Sequence, residues 1–202
     1  MMIILSAVAG YLLGSANTSL ILGKLFYKKD VRQYGSGNAG ATNTLRTLGK
    51  TAALLVVAGD FVKGMLACLI GRWLAGETSA GVWAGEYAAG LMAVIGHNWP
   101  LYFSFKGGKG VMSAFSVAVM LSPFAALICL SGFILIVAVT RYVSLGSMVG
   151  GIAFPVMTWI LGEPLFLVLT AVLLAVLIIF RHFSNIRRLV AGNEKKLSFK
   201  QP

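Results

Sequence analysis

An all-α fold that crosses a membrane repeatedly is predicted by three features of the chain. Apolar runs of spanning length recur along it. Hydrophobic residues make up 58% and charged residues only 11%, with a mean hydropathy of +0.86. A soluble domain carries about a quarter charged residues, whereas runs of about 20 apolar residues are what a bilayer crossing needs. The third feature is where the charges fall. Lys and Arg crowd alternate loops, while the loops between them carry Glu77, Glu86 and Glu163 and no Lys or Arg, the pattern expected when basic loops face the cytoplasm. The reading is seven transmembrane helices in a single integral-membrane domain, residues 1–202, with the N-terminus outside and the C-terminus cytoplasmic. The net charge of +11 fits basic loops beside anionic lipid, so membrane lipid is an expected partner and nucleic acid is not.

The first span runs from Ile3 to Gly23. It has no basic lead and no convincing cleavage site, so it is expected to be retained. Asn17, Thr18 and Ser19 near its end suit the protein interior, and Lys24, Lys28, Lys29 and Arg32 put the next loop in the cytoplasm. The second span, Thr51 to Ala75, is interrupted by Gly59-Asp60-Phe61-Val62-Lys63-Gly64. Charges inside a span normally face a partner or a wet cavity. Asp60 and Lys63 share a helical face and can pair. Either the pair is structural, or Asp60 holds Lys63 near an anionic ligand. Arg72 can snorkel outward. Gly76 to Glu86 is an acidic outer loop, with Trp83 and Tyr87 as interface anchors.

The third span runs from Glu86 to Gly96, with an alternative start near Val82. Val111 to Ser122 and Pro123 to Thr140 are read as two spans, because one helix through both would be too long for a crossing. Gly146 to Leu161 is the sixth span, with Gly150, Gly151 and Ala153 suited to close helix contact. An outer turn, Gly162-Glu163-Pro164, leads to the seventh, Leu165 to Phe180. Cys68 and Cys129 lie inside spans and read as small packing residues, and no metal site is suggested.

Against this apolar background four polar clusters stand out. The first is Gly35-Ser36-Gly37-Asn38-Ala39-Gly40-Ala41-Thr42-Asn43-Thr44-Leu45-Arg46. Glycines let ligand atoms approach main-chain amides, successive amides make an anion nest, and Arg46 adds a fork suited to phosphate. Its Gly-x-Gly-x-x-Gly spacing follows a hydrophobic helix and a basic loop instead of a strand, which excludes a dinucleotide-binding βαβ unit. The second runs from Gly96-His97 through Pro100 to Lys106-Gly107-Gly108-Lys109-Gly110. It presents two ammonium groups beside exposed amides, and it lacks the upstream Gly and following Ser/Thr of a Walker A loop. His97 gains interest from this company, since His titrates near neutral pH. The third is Ser144-Leu145-Gly146-Ser147 and the fourth Arg181-His182-x-x-Asn185, with His182 and Asn185 on one helical face. In the seven-span topology all four fall on the cytoplasmic side, which points to one anion-binding active site.

Taken together, Gly35 to Arg46, Asp60-x-x-Lys63-Gly64, Gly96-His97, Lys106-Gly-Gly-Lys-Gly-Val111 and Arg181-His182-x-x-Asn185-Ile186 resemble the PlsY family of bacterial acyl-phosphate-dependent glycerol-3-phosphate acyltransferases. The resemblance covers essentially the whole chain. It implies a seven-span enzyme of the bacterial cytoplasmic membrane that moves a fatty acyl group from acyl-phosphate to the 1-position of glycerol-3-phosphate, without a cofactor. The products would be lysophosphatidic acid and phosphate, the first acylation of phospholipid biosynthesis. It implies Ser36, Arg46, Lys109, His182 and Asn185 at the phosphate of glycerol-3-phosphate. Gly37, Asn38, Gly40, Thr42, Asn43 and Lys106 would serve the acyl-phosphate head group, with Gly107 and Gly108 among the substrate-binding residues. Ser147 joins the site, Lys63 and Asp60 shape it from below, and His97 positions or deprotonates the attacking hydroxyl unless a substrate phosphate is the base. Transient contact with the enzyme that makes acyl-phosphate is a further partner expectation.

The chemistry agrees with the residue types. Acyl-phosphate is already activated, so orientation and charge stabilisation suffice and no acyl-enzyme nucleophile is required. A transporter for phosphorylated solutes would show inverted repeats and midplane binding elements, and a Mg²⁺-dependent phosphotransferase would need clustered acids. Neither pattern is present in the chain.

Overall fold

The computed structural model describes residues 1–77 and 83–198. Among these residues every regular element is helical, and the chain forms two compact units, Met1–Val117 and Ala118–Ser198.

The first unit contains α1 (Met2–Ser15), α2 (Thr18–Phe26), α3 (Ala41–Leu48), α4 (Lys50–Ala75), α5 (Ala84–Asn98) and most of α6 (Val111–Leu121), with short 3₁₀ turns at Val31–Gln33 and Leu101–Phe103. Helices α1, α4 and α5 pack on one another. Lipid tails are as apolar as leucine, so membrane helices associate by close packing of small residues. Here Gly10 and Gly14 of α1 lie so close to the main chain at Ala89 and Ala93 of α5 that a Cβ would collide with it. Gly71 and Gly85 do the same between α4 and α5.

Two local features of this unit depart from a simple row of spans. The first apolar stretch breaks at Ala16-Asn17. Asn17 caps α2, its Oδ1 accepting from the Leu20 N–H at 3.1 Å, while its Nδ2 donates to the Ala39 carbonyl at 3.2 Å. Of the polar residues expected inside, Asn17 and Ser19 are fully buried and Thr18 is half-buried, and the Ser19 and Thr44 hydroxyls share a 2.7 Å hydrogen bond. In contrast, α4 runs unbroken through Gly59–Gly64, because the charges interrupt its hydropathy and not its backbone.

The second unit holds α7 (Pro123–Thr140), α8 (Val143–Ile160), α9 (Leu165–Arg181) and α10 (Phe183–Val190), with α8 packed against both α7 and α9. Pro123 sits in the first turn of α7, where its missing N–H breaks no helical bond, so the split between α6 and α7 falls where the sequence puts it. Among the described residues, four stretches are long and apolar enough to cross a membrane: Met2–Phe26, Lys50–Ala75, Pro123–Thr140 and Val143–Ile160. A fifth is α9 with α10, if that pair, bent by 56°, is taken together. With 15 and 11 residues, α5 and α6 are shorter than a full crossing, so spanning helices do not match the seven predicted spans one for one. The alternative start near Val82 lies outside the described residues.

Candidate active site

The base of the site in the first unit is a buried polar cluster. Lys63 Nζ lies 2.8 Å from Asp60 Oδ1 and donates to the Gly14 and Ala16 carbonyls at 3.1 and 3.2 Å. Its remaining contact is His97 Nδ1, at 3.0 Å. Thr18 donates to the same Asp60 oxygen at 3.0 Å. Asp60, Lys63 and His97 are 2%, 6% and 3% exposed, so the charges are tolerated only because they are paired and hydrogen-bonded. His97 Nδ1 also lies 3.6 Å from Asp60 Oδ1, and the opposite edge of the ring, at Nε2, packs on Gly108.

The glycine-rich loop rests above α2 and α3. Asn43 holds it from within: Nδ2 donates to the Val31 and Tyr34 carbonyls at 2.9 and 3.1 Å, and Oδ1 accepts from the Ser36 N–H at 2.8 Å. The loop must pass tightly over this amide, and it does so at Gly35, where φ is +64° and a Cβ would strike Asn43 Oδ1. Ser36 and Gly37 are exposed as a result, Asn38, Gly40 and Thr42 are half-buried, and Arg46 is half-buried on α3. Gly40 caps α3, whose first N–H groups have no helical partner and favour an anion.

The second loop docks on the C-terminus of α5. The Gly107 and Gly108 N–H groups donate to the Asn98 and His97 carbonyls at 3.3 and 3.1 Å. Gly108 is pressed between the His97 ring and the Ala39 carbonyl of the first loop, and no side chain fits there. Lys106 is exposed and Lys109 half-buried beside these buried glycines. The two loops are also tied by Arg32. Its Nε and Nη2 donate to both oxygens of Asp30 at 2.9 and 2.6 Å, and its Nη1 donates to the Phe103 and Lys106 carbonyls, both at 3.0 Å. The hydrogen bond from Arg32, against a burial effect in the other direction, holds the Asp30 carboxyl down at about 2. Beneath this tie Leu20, Val31 and Ala39 form a small buried core that Leu48 and Phe103 cover.

In the second unit, His182 ends α9 at the bend and its Nδ1 contacts the Ile178 carbonyl at 2.7 Å. Asn185 Nδ2 donates to Glu194 Oε1 at 2.6 Å, Ser144 donates to the same oxygen at 2.6 Å, and Arg188 Nε binds Oε2 at 2.7 Å. Burial pushes the Glu194 carboxyl up, but the bonds from Ser144, Arg188 and Asn185 outweigh it and hold the group below the usual carboxylate range. Ser147 turns inward and donates to the Val143 carbonyl at 2.8 Å, so of the two serines it is Ser144 that shares a partner with Asn185.

The structure thus gathers Ser36, Gly37, Asn38, Gly40, Thr42, Arg46, Lys63, His97, Lys106, Gly107, Gly108 and Lys109 in the first unit, and Ser147, His182 and Asn185 in the second. Asn43 is also in the first unit, but its side chain is 1% exposed and engaged by the main chain. Sequence reasoning missed three groups that organise these residues: Asp30 with Arg32, Asn17 as a cap, and Glu194. The available signal was an acid two residues before an arginine, easily absorbed into a basic loop.

Three kinds of comparison bear on this arrangement. A family model described as glycerol-3-phosphate acyltransferase matches residues 4–192. A glycerol-3-phosphate acyltransferase of Thermoanaerobacter pseudethanolicus is 44% identical over 197 residues, covering 98% of this chain and 96% of that protein. Glycerol-3-phosphate acyltransferase 2 of Bacillus anthracis is 42% identical, covering 96% and 98%. A crystal structure of PlsY, an integral membrane glycerol 3-phosphate acyltransferase in its glycerol 3-phosphate form, superposes with a TM-score of 0.91 at 37% identity, covering 98% of this chain and 96% of that one. The lysophosphatidic acid form gives 0.87 at 36% identity, covering 98% and 97%. The fold and its relatives therefore define an integral-membrane acyltransferase of phospholipid synthesis. The chain belongs to the PlsY family of glycerol-3-phosphate acyltransferases.

Proposed function

We propose that the protein transfers a fatty acyl group from acyl-phosphate to the 1-hydroxyl of glycerol-3-phosphate, giving 1-acyl-glycerol-3-phosphate and inorganic phosphate. The observation that carries this reading is the joined pair of loops, whose glycines and cations line a surface fixed from below by Asp60, Lys63 and His97. Such a surface suits phosphate at both ends of the reaction. The solved relatives, in glycerol 3-phosphate and lysophosphatidic acid forms, support the same acceptor and product.

Ser36, Arg46 and Lys109 hold the glycerol-3-phosphate phosphate. The amides of Gly37 and Gly40, with Asn38, Thr42, Lys106, Gly107 and Gly108, hold the acyl-phosphate head. Asn43 acts through the loop it latches. In the second unit Ser147, His182 and Asn185 are assigned to substrate on the same family pattern. The acceptor hydroxyl oxygen bonds to the acyl carbon, the bond from that carbon to the phosphate oxygen breaks, and phosphate leaves with the electron pair. A phosphate oxygen takes the hydroxyl proton, and His97, held at Nδ1 beside Lys63 and Asp60, positions its neighbours.

Purified protein in detergent tests this directly. Phosphate release from acyl-phosphate should require glycerol-3-phosphate and match lysophosphatidic acid formed. Release without the acceptor, or acylation from a thioester donor alone, overturns the donor. Arg46→Ala should lower turnover by about 10²-fold or more with the melting temperature unchanged. Near-normal turnover would remove Arg46 from the site.

The seven-span topology, N-terminus outside and C-terminus cytoplasmic, belongs to the same proposal, as do a bacterial cytoplasmic-membrane location and transient contact with the acyl-phosphate-making enzyme. Cysteines placed at Lys28 and Glu77 should label from opposite sides of the membrane. Labelling from one side rejects the topology.

A further inference from the structure

Arg32 reads as one more cytoplasmic cation, yet its environment says otherwise. Four of the five N–H groups of a guanidinium are engaged here: two by Asp30, one by the Phe103 carbonyl and one by the Lys106 carbonyl. The group is held in plane from one side by a carboxylate and delivers its other edge to the second loop. Val31, between the two charged residues, is fully buried in the small core that Phe103 covers, and its carbonyl is fixed by Asn43. The bracket therefore stands on the same base as the glycine-rich loop. Its far end is the main chain of Lys106, whose side chain is exposed.

We infer that Asp30 and Arg32 form a positioning bracket that sets Lys106 against the glycine-rich loop, so that Arg32 governs the site through the Lys106 main chain and touches no substrate itself. This rests on the acyl-phosphate reading above, which gives Lys106 its ligand. A guanidinium is suited to the role because it is flat and donates in fixed directions, so it can bind a carboxylate along one edge and two carbonyls with the other. A lysine in its place keeps the charge but is a point donor on a flexible stem. If the bracket matters through its geometry, Arg32→Lys should fail although the positive charge of the loop is unchanged.

A double-mutant cycle separates positioning from general support. In the full-length protein in detergent, Arg32→Lys should raise the KM for acyl-phosphate about tenfold with kcat within about twofold, the signature of a misplaced binding contact. In a Lys106→Ala background the same change should add less than about twofold, because the group it positions is gone. An equal penalty in both backgrounds, or a change only in melting temperature, overturns the inference. If Arg32→Lys does not fold, Asp30→Asn provides the same cycle, since it loosens the guanidinium and leaves the arginine in place. Wild-type protein without turnover of acyl-phosphate overturns the donor reading and the role of Lys106 with it. Turnover with an additive Arg32→Lys penalty overturns only the bracket.

Discussion

The first unit contains two aspartates paired with cations, Asp60 with Lys63 and Asp30 with Arg32 and, at 3.5 Å, Lys24, and they do different work. Asp60 and Lys63 lie inside α4, three residues apart, with both side chains below 10% exposed. Asp30 and Arg32 lie in a loop, two residues apart, with side chains 16% and 23% exposed. Inside the helix, the ammonium paired with Asp60 also lies within hydrogen-bond distance of two carbonyls of the broken first span and of His97. In the loop, what the guanidinium has left over goes to two carbonyls of the neighbouring loop. Each aspartate fixes a cation that in turn fixes something else. The buried pair holds an imidazole in place; the loop pair sets the path of a backbone. The depth of each pair explains the choice of cation. A compact ammonium with several donors suits a closed pocket, and a flat fork suits an edge where loops meet.

The comparison predicts unequal costs. Lys63→Met should destabilise the protein by about 3–5 kcal/mol, because Asp60 is left buried and unpaired. The thermal melt in detergent should fall accordingly, and adding Asp60→Asn should restore part of it. A melt equal to wild type for the single variant would mean that water reaches Asp60, and the contrast with the loop pair would collapse.

A third acid sharpens the contrast. Glu194 pairs with Arg188 and also takes bonds from Ser144 and Asn185. Glu194→Gln puts an amide beside Arg188 and should cost about 1–3 kcal/mol. Trypsin should then cut faster after Lys195 and Lys196, and an unchanged rate would show that the carboxylate does not hold the tail.

These pairs also show which parts of the molecule the sequence makes readable. Asp60 and Lys63 are legible because a helix is certain in an apolar run, and three residues along a helix is a contact. The division at Pro123 is legible because proline tolerates few positions in a helix. The PlsY motifs are legible because glycines, hydroxyls and cations have little other reason to cluster beside a membrane. The break at Asn17 was not legible. An Asn-Thr-Ser run near a span end fits a continuous helix equally well, and only the Ala39 carbonyl that Asn17 reaches decides the matter. Asn43 reads as a ligand donor because it stands among glycines and hydroxyls; its hydrogen bonds to the Val31 and Tyr34 carbonyls depend on how the loop closes. Arg32 was hidden for the same reason, since its two carbonyl partners come from more than seventy residues away.

The smallest expected effect is the pH response of the loop pair, and its sign follows from the shift. The Asp30 carboxyl sits at about 2, below its ordinary 3.8. A group depressed on folding contributes stability that is fully present above the ordinary value and is lost as the pH falls through the folded one. The bracket is therefore intact at neutral pH and fails progressively between about pH 4 and pH 2. Because the pair is partly exposed, solvent screening keeps its contribution small. Melting temperature measured across that window should fall more steeply for wild type than for Asp30→Asn, which has no carboxylate to protonate. Identical slopes would mean that the acid limb belongs to other groups, Glu194 first among them since its carboxyl is also held low. Repeating the comparison in a Glu194→Gln background assigns the remaining slope to Asp30 or removes it.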